Sequence, residues 1–119
     1  MIDATLLFKG TTVFSPWFPR QADMLRVTAE CVACLGATIT IDLYTKNQED
    51  TGNGNPVDEN VTIVLDTAGE RTTAEWKTVT PPDGVKQLLR FRYDVTGSDD
   101  THWMLFRLLP AVWFDAVSA

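Results

Sequence analysis

The feature that most constrains the fold is an alternation of apolar and polar residues with a period of two in residues 25–46. Residues at i and i+2 lie on the same face of a β-strand, so the alternation predicts half-buried strands. Gly36 divides it into two runs and readily supplies the positive φ of a tight turn, which predicts that the runs form a hairpin. The apolar faces of the two runs are Leu25, Val27, Ala29, Cys31, Ala33 and Leu35, and then Ala37, Ile39, Ile41 and Leu43.

Two further strand pairs follow the same pattern. Residues 61–65 alternate, and a glycine-containing turn leads from them into a strand at 72–80 that contains Trp76, which predicts a second hairpin. Residues 88–95 and 102–109 predict a third hairpin on the same grounds. Between the second and third pairs, residues 81–84 carry two prolines and a glycine, which predicts a break in the chain.

The number and spacing of these strands predict the fold class. They are typical of an antiparallel β-sandwich, jelly-roll-like or immunoglobulin-like, with about seven to eight strands. A small β-barrel is the alternative, because the same alternation serves a closed sheet. The 119 residues suffice for one domain, residues 1–119. Residues 47–60 are rich in Asn, Gly and acids, so they predict a polar loop.

Charge and hydropathy exclude several classes of partner. The chain has 10 basic and 16 acidic residues, a formal charge of −6. An electrostatic hold on phosphates or anionic lipid works against that charge, so we expect neither nucleic acid nor a membrane as partner. The longest apolar runs fall far short of the roughly 20 residues that cross a bilayer, and no secretory signal is recognised.

The aromatic residues are concentrated towards the two ends of the chain. Each buried aromatic ring removes roughly 150–250 Å² from water, so such segments must pack on this core or on a neighbouring molecule. Of the 12 aromatic residues, the 8 in these segments are Phe8, Phe14, Trp17, Phe18, Trp103, Phe106, Trp113 and Phe114. Residues 15–20 hold two prolines and are expected to be extended. An extended segment of this kind is suited to form an arm that contacts a partner molecule.

The strand at 102–109 is largely apolar on both faces. Met104 and Phe106 lie on one face, and Trp103 and Leu105 lie on the other. Either the segment around Trp17 covers the outer face or a partner does. Aromatic and Arg side chains are enriched at interface hot spots. The residues expected at an interface are therefore Trp17, Phe18, Arg20, Trp103, Leu105, Arg107, Trp113 and Phe114.

No residue pattern predicts catalysis, a metal site or a cofactor. Cys31 and Cys34 have C-x-x-C spacing, but a second pair is absent from the sequence and it holds one His. In a regular strand the two thiols point to opposite faces about 10 Å apart, so we expect reduced structural thiols. His102 stands too near Ser98 and Asp100 in sequence to form a catalytic triad with them, and we expect a histidine bonded to a neighbour.

The polar loop and three arginines are interpreted as surface features without a ligand. The loop at 47–60 has oxygen donors but lacks the ligand order of an EF-hand, so a solvated loop is favoured over a calcium site. Its paired acids are expected to stay ionised in solvent, which disfavours a hydrolase. Arg90, Arg92 and Arg107 suggest a basic stripe, and we expect them to pair with the chain's many acids.

The chain also resembles a family. Residues 8–12 (Phe-Lys-Gly-Thr-Thr), residues 88–93 (Leu-Leu-Arg-Phe-Arg-Tyr) and residues 103–107 (Trp-Met-Leu-Phe-Arg), in a short all-β chain with aromatic ends, are similar in style to small virion proteins of tailed bacteriophages. The resemblance implies a non-enzymatic capsid decoration or minor virion protein, assembled in the host cytoplasm. Its partners would be the major capsid protein, another virion protein or further copies of itself. The alternative is a carbohydrate- or ligand-binding β-sandwich module, in which the tryptophans form a stacking platform.

Overall fold

Two antiparallel β-sheets make up the structure. The computed structural model describes residues 2–47, 52–58, 60–78, 88–97 and 101–114, which form eleven strands and no helix. The strands are β1 (Ile2–Phe8), β2 (Thr12–Phe14), β3 (Phe18–Pro19), β4 (Met24–Leu35), β5 (Ala37–Lys46), β6 (Asn55–Pro56), β7 (Ile63–Leu65), β8 (Arg71–Lys77), β9 (Leu88–Gly97), β10 (Trp103–Leu108) and β11 (Val112–Phe114).

Each sheet is built around long central strands. In the first sheet β4 pairs with β8 on one side and with β10 and β11 on the other, and β1 pairs with β10. In the second sheet β5 and β9 pair along ten residues. Short strands flank them, with β6 and β7 beside β5 and with β2 and β3 beside β9. The predicted β-sandwich is confirmed, and the two sheets are not closed into a barrel in the described residues.

The core lies between the sheets and comes from alternate residues of the long strands. The runs predicted at 25–31 and 37–43 bury the faces that the alternation indicates, and so does the run at 89–95. The largest side chains with almost no exposure are Trp76, Phe91, Phe106, Leu25, Ile39, Ile41, Leu43, Ile63, Leu65, Leu89, Met104 and Leu108. Trp76 also satisfies its indole N–H, which donates to the Val61 carbonyl at 3.1 Å.

The three predicted hairpins are wrong, because the two strands of each predicted pair lie in different sheets. β4 and β5 belong to different sheets, and so do β7 and β8, and β9 and β10. Gly36 alone separates β4 from β5, and a single residue is shorter than the two-residue loops that join paired strands. Alternation reports which face of a strand is buried, but both sheets offer the same buried face. Alternation therefore does not predict which strand is the hydrogen-bonded neighbour.

A β-bulge changes the face assignment in the second half of β4. Phe106 is paired with Cys31 and Leu105 with Ala33, so Val32 is an extra residue in β4. After the bulge Cys34 faces the core, while Leu35 is 51% exposed. The prediction that Ala33 and Leu35 share the buried face is wrong. The expectation that the two thiols point to opposite faces is also wrong, since the bulge turns both inward.

Some predictions fall on other parts of the chain. The break at 81–84 and the turn residues 98–100 lie outside the described residues, as do Glu49, Asp50 and Glu59. The N-terminal strands β1–β3 and the short strands β6 and β11 were not predicted. They are held by pairing with neighbours distant in sequence, which a local pattern does not report.

Gly36 is the position where the crossing depends most on a glycine. Its φ is +63°, and a Cβ there would lie 2.7 Å from the His102 ring. Gly36→Ala is expected to lower the free energy of unfolding by about 2–3 kcal/mol, through the left-handed backbone and the displaced ring together. Gly69→Ala is the matched control, because Gly69 has φ +86° with nothing within 4 Å of the added Cβ.

Urea unfolding of both variants measures the difference. Gly69→Ala is expected to cost about 1 kcal/mol, the backbone term alone. Equal losses for the two substitutions would contradict the packing of His102 against this crossing.

Candidate binding surfaces

A cleft opens at one edge of the sandwich, where a strand line in each sheet is interrupted. In the second sheet residues 15–17 separate β2 from β3, and in the first sheet residues 109–111 separate β10 from β11. Ser15 holds the first interruption in place, because its Oγ accepts a hydrogen bond from the Phe91 N–H at 2.9 Å. The cleft has a volume of about 300 Å³ and most of its lining comes from Pro16, Trp17, Phe18, Phe91, Tyr93 and Trp113.

The aromatic rings of the cleft pack on one another and on the core. Phe18 lies 5.5 Å from Phe91 and 6.2 Å from Trp113 between ring centroids. Phe18 and Trp113 both pack against the core of their own chain. Two of the rings expected at an interface are thus partly covered within one molecule. The segment around Trp17 lies beside β9 and not over β10, so it is an interrupted edge strand and not a free arm.

Tyr93 brings a buried hydroxyl to the cleft. The residue is 5% exposed, and its hydroxyl has no hydrogen-bond partner among the described residues. Burial raises the pKa of Tyr93 above its ordinary value, so the hydroxyl stays protonated. Its ring lies 5.2 Å from Phe106 and 6.4 Å from Phe91. The ring is a packing element, while the hydroxyl is an unsatisfied donor.

Tyr93→Phe keeps the ring contacts and removes this hydroxyl. A buried polar group without a partner costs about 1–3 kcal/mol, so the variant is expected to be at least as stable as the wild type and up to about 1 kcal/mol more stable. Thermal and urea unfolding measure the change. A loss of more than about 1 kcal/mol would show that the hydroxyl has a partner in the folded protein.

A cluster of cations and aromatic rings lies on the outer face of the second sheet. The Arg90 guanidinium carbon lies 3.8 Å from the Phe14 ring centroid and 4.2 Å from that of Trp17. Lys46 approaches the Trp17 ring at 4.8 Å, and Phe14 contacts Tyr44 edge to face. Burial lowers the pKa of Arg90, although Arg keeps its charge at any ordinary pH. Trp17 is therefore engaged by its own chain.

Arg90 also forms hydrogen bonds to the polar loop at 47–60, at Asn53. Its Nη2 donates to the backbone carbonyl and to Oδ1 of Asn53, at 3.1 and 3.0 Å. The described part of the loop continues into β6, which pairs with Tyr44 and Thr45 of β5. The loop is therefore partly attached to the sheet. The prediction that the arginines pair with acids is wrong for Arg90, because its described contacts are with two aromatic rings and with Asn53.

Arg90→Lys tests whether the planar guanidinium matters more than the charge. Lysine keeps the charge and loses both the stacking between two rings and the forked donation to Asn53. The expected loss is about 1 kcal/mol in urea unfolding. Arg92→Lys is the control on the same strand, since the Arg92 side chain lies 4.0 Å from Asp94 and stacks on no ring among the described residues. An equal effect at both positions would contradict the stacked role of Arg90.

The outer face of the first sheet carries an apolar patch. Trp103 and Leu105 alternate with the buried residues of β10, so their side chains lie on the outer face. Across the β4–β10 pairing lie Val32, 43% exposed, and Leu35, 51% exposed. We call Val32, Leu35, Trp103 and Leu105 the outer patch. The expectation that both faces of this strand are apolar holds.

Charged residues border the outer patch. Glu30 accepts a hydrogen bond from Arg71, and its Oε1 forms an ion pair with Nη2 of Arg107 at 3.0 Å. The hydrogen bond from Arg71 is the main cause of the lowered pKa of Glu30, and Arg107 adds to it. Arg26 and Glu75 form a second pair at 2.9 Å farther along the face. Arg107 thus pairs with an acid, as expected.

Glu30→Gln tests the network through its pH dependence. The lowered pKa of Glu30 means that its ionised form stabilises the fold. This stabilisation is fully present above the ordinary pKa of 4.5. It is lost as pH falls through the lower pKa of the folded state. The variant is expected to be less stable than the wild type at pH 7, with the difference shrinking at pH values below 4.5. Urea unfolding across this range measures it. An undiminished difference at low pH, or the same difference in an Arg71→Gln background, would contradict the assignment.

The remaining interface candidates are separated in space. Phe114 lies under Arg26, whose guanidinium carbon is 5.0 Å from the ring centroid, on the first sheet. Arg20 donates to the Ala22 carbonyl at 3.3 Å and lies 3.7 Å from Asp23. The proposed basic stripe does not form, because Arg90 and Arg92 are on the second sheet and Arg107 is on the first.

His102 and the thiols have packing roles in the structure. His102 packs against Gly36 and Gly97, and its Nδ1 has no hydrogen-bond partner among the described residues. Cys31 donates to the Met104 sulfur at 3.3 Å, and Cys34 donates to the Asp66 carbonyl at 3.4 Å. Burial raises the pKa of Cys31 to about 12, with Cys34 contributing. Cys31 is therefore a poor nucleophile.

The comparisons with known proteins add no assignment. No family model, no curated protein and no solved structure matches the chain. Within the ranges that the structure describes, no helix has the length and apolarity needed to cross a bilayer. The described residues also contain no group of three His, Cys, Asp or Glu side chains placed to hold a metal ion.

Proposed function

We propose that the protein is a non-enzymatic structural assembly protein, a capsid decoration or minor virion component of a tailed bacteriophage. Its activity is binding, to the major capsid protein, to another virion protein or to further copies of itself. The observation that carries the proposal is the outer patch on a strand whose opposite face already fills the core. Such a strand gains stability from a second apolar surface that its own chain does not supply in the described residues.

The composition of this face supports the proposal. Interfaces combine an apolar centre with a polar rim, and Trp and Arg are frequent among the residues that contribute most to binding. Trp103 and Leu105 form the centre here, and Arg107 with Glu30 forms part of the rim. Arg107 has a side chain 44% exposed, which leaves donors for an acidic group on a partner. Phe18 and Trp113 contribute indirectly, because they hold the edge of the sandwich.

Leu105→Asp tests the assembly function. The charge in the centre of the outer patch is expected to weaken association by at least about 2 kcal/mol, or roughly thirtyfold. Val64→Asp is the control, because Val64 is 43% exposed on the second sheet and gains the same charge. Light scattering at several protein concentrations measures the mass, and circular dichroism confirms that each variant folds. A wild type that stays monomeric alone and with capsid protein would refute the proposal, as would equal effects of the two substitutions.

The second candidate is a carbohydrate- or ligand-binding module, which the cleft favours. A cleft of about 300 Å³ lined by aromatic rings, with the Gln21 amide in its lining, has the form of a small binding site. In this case oligosaccharides added to the monomer would change the fluorescence of Trp17 and Trp113, and Trp113→Ala would abolish the change. Light scattering with and without glycans separates the two functions, because only assembly increases the mass.

A further inference from the structure

We propose that Cys31, Cys34 and Met104 form a three-sulfur site that binds a soft monovalent metal ion, Cu(I) being the chemically favoured one. The site is independent of the assembly function and lies on the inner face of the first sheet. It exists because of the bulge at Val32, which brings two thiols onto the face where Met104 lies.

The positions of the three sulfurs follow from the strand register. Cys34 is the direct partner of Met104 across the β4–β10 pair, and directly opposed side chains have Cβ atoms about 4.5–5.5 Å apart. The Cys31 Sγ lies 3.3 Å from the Met104 Sδ. Cys34 lies close enough to Cys31 to help raise the pKa of its thiol. The three soft donors therefore lie on the same inner face, in neighbouring positions of β4 and β10.

The donor set decides which ion fits. Thiolates and thioethers are soft ligands that favour Cu(I), whereas oxygen donors suit Mg²⁺ or Ca²⁺. Structural zinc sites use four ligands drawn from Cys, His and carboxylates, and this cluster offers two. A thioether as the third ligand therefore points away from zinc and towards Cu(I), or Ag(I) as its chemical analogue.

Access and charge are compatible with entry of a cation. Cys34 is partly exposed, while Cys31 and Met104 are buried. The chain turn that follows β7 lies beside the site, since the Cys31 N–H donates to the Glu70 carbonyl at 2.9 Å and Cys34 donates to the Asp66 carbonyl. The negative charges of Glu70 and Asp66 act on Cys31 and also attract a cation. Binding of one Cu(I) by both thiolates releases two protons to solvent, so the apparent affinity rises with pH.

Competition for Cu(I) tests the site. The folded protein is titrated without oxygen into the coloured complex of Cu(I) with bicinchoninate, and loss of colour reports transfer of the metal. The wild type is expected to take up one equivalent. Cys34→Ser, at a partly exposed position, is expected to weaken binding at least about a hundredfold. The substitution removes a direct metal ligand, which costs more than losing a residue that only bonds to a ligand.

Met104→Leu separates the three-sulfur site from a simple thiol pair. The substitution conserves volume, and it is expected to weaken binding about tenfold or more. Met24→Leu is the control methionine substitution and is expected to change nothing. X-ray absorption should count three sulfur neighbours in the wild type and two in Met104→Leu. No transfer of Cu(I) to the folded wild type would overturn the proposal, and so would equal affinities of the wild type and Met104→Leu.

Discussion

The structure depends on one constraint, which is that two sheets must each bury one apolar face against the other. Trp76 and Phe106 from the first sheet meet Phe91 and Tyr93 from the second, with Trp76 lying 6.1 Å from Phe91 and Phe106 lying 5.2 Å from Tyr93 between centroids. Rings of this size supply much of the burial that offsets the conformational entropy lost on folding. The strands that follow β4, β7 and β9 each lie in the opposite sheet, so both sheets contribute inward-facing residues to the core.

The candidate surfaces lie where this arrangement is interrupted or left uncovered. The cleft opens between β2 and β3 of one sheet and between β10 and β11 of the other, and the cation–aromatic cluster around Arg90 covers the outer side of the same region. The outer patch arises from β10, whose inner residues fill the core while Trp103 and Leu105 face outward. The bulge at Val32 adds an exposed valine to that patch and turns Cys34 towards Met104. One irregularity in β4 thus shapes both faces of the first sheet.

The sequence was sufficient to predict the strands and their buried faces, because alternation is a local property. It predicted the strands at 25–35 and 37–46, the strand that contains Trp76 and the two apolar faces of β10. It did not predict their pairing, since β4 and β5 look the same in sequence whether they join one sheet or two. A bulge is also invisible in a pattern of alternation, so the facing of Cys34 and Leu35 was wrong. The aromatic ends were recognised as packed segments, but nothing local indicated that Phe18 and Trp113 meet.

We propose that this protein meets its partner through the outer face of the first sheet. Hydroxyl-radical footprinting of the wild type, dilute and assembled, tests it most directly because oxidation reports the exposure of individual side chains. Trp103 and Leu105 are expected to become protected on assembly, while Val64 keeps its reactivity. Protection confined to the second sheet, or unchanged oxidation of Trp103 in an assembled particle, would contradict it.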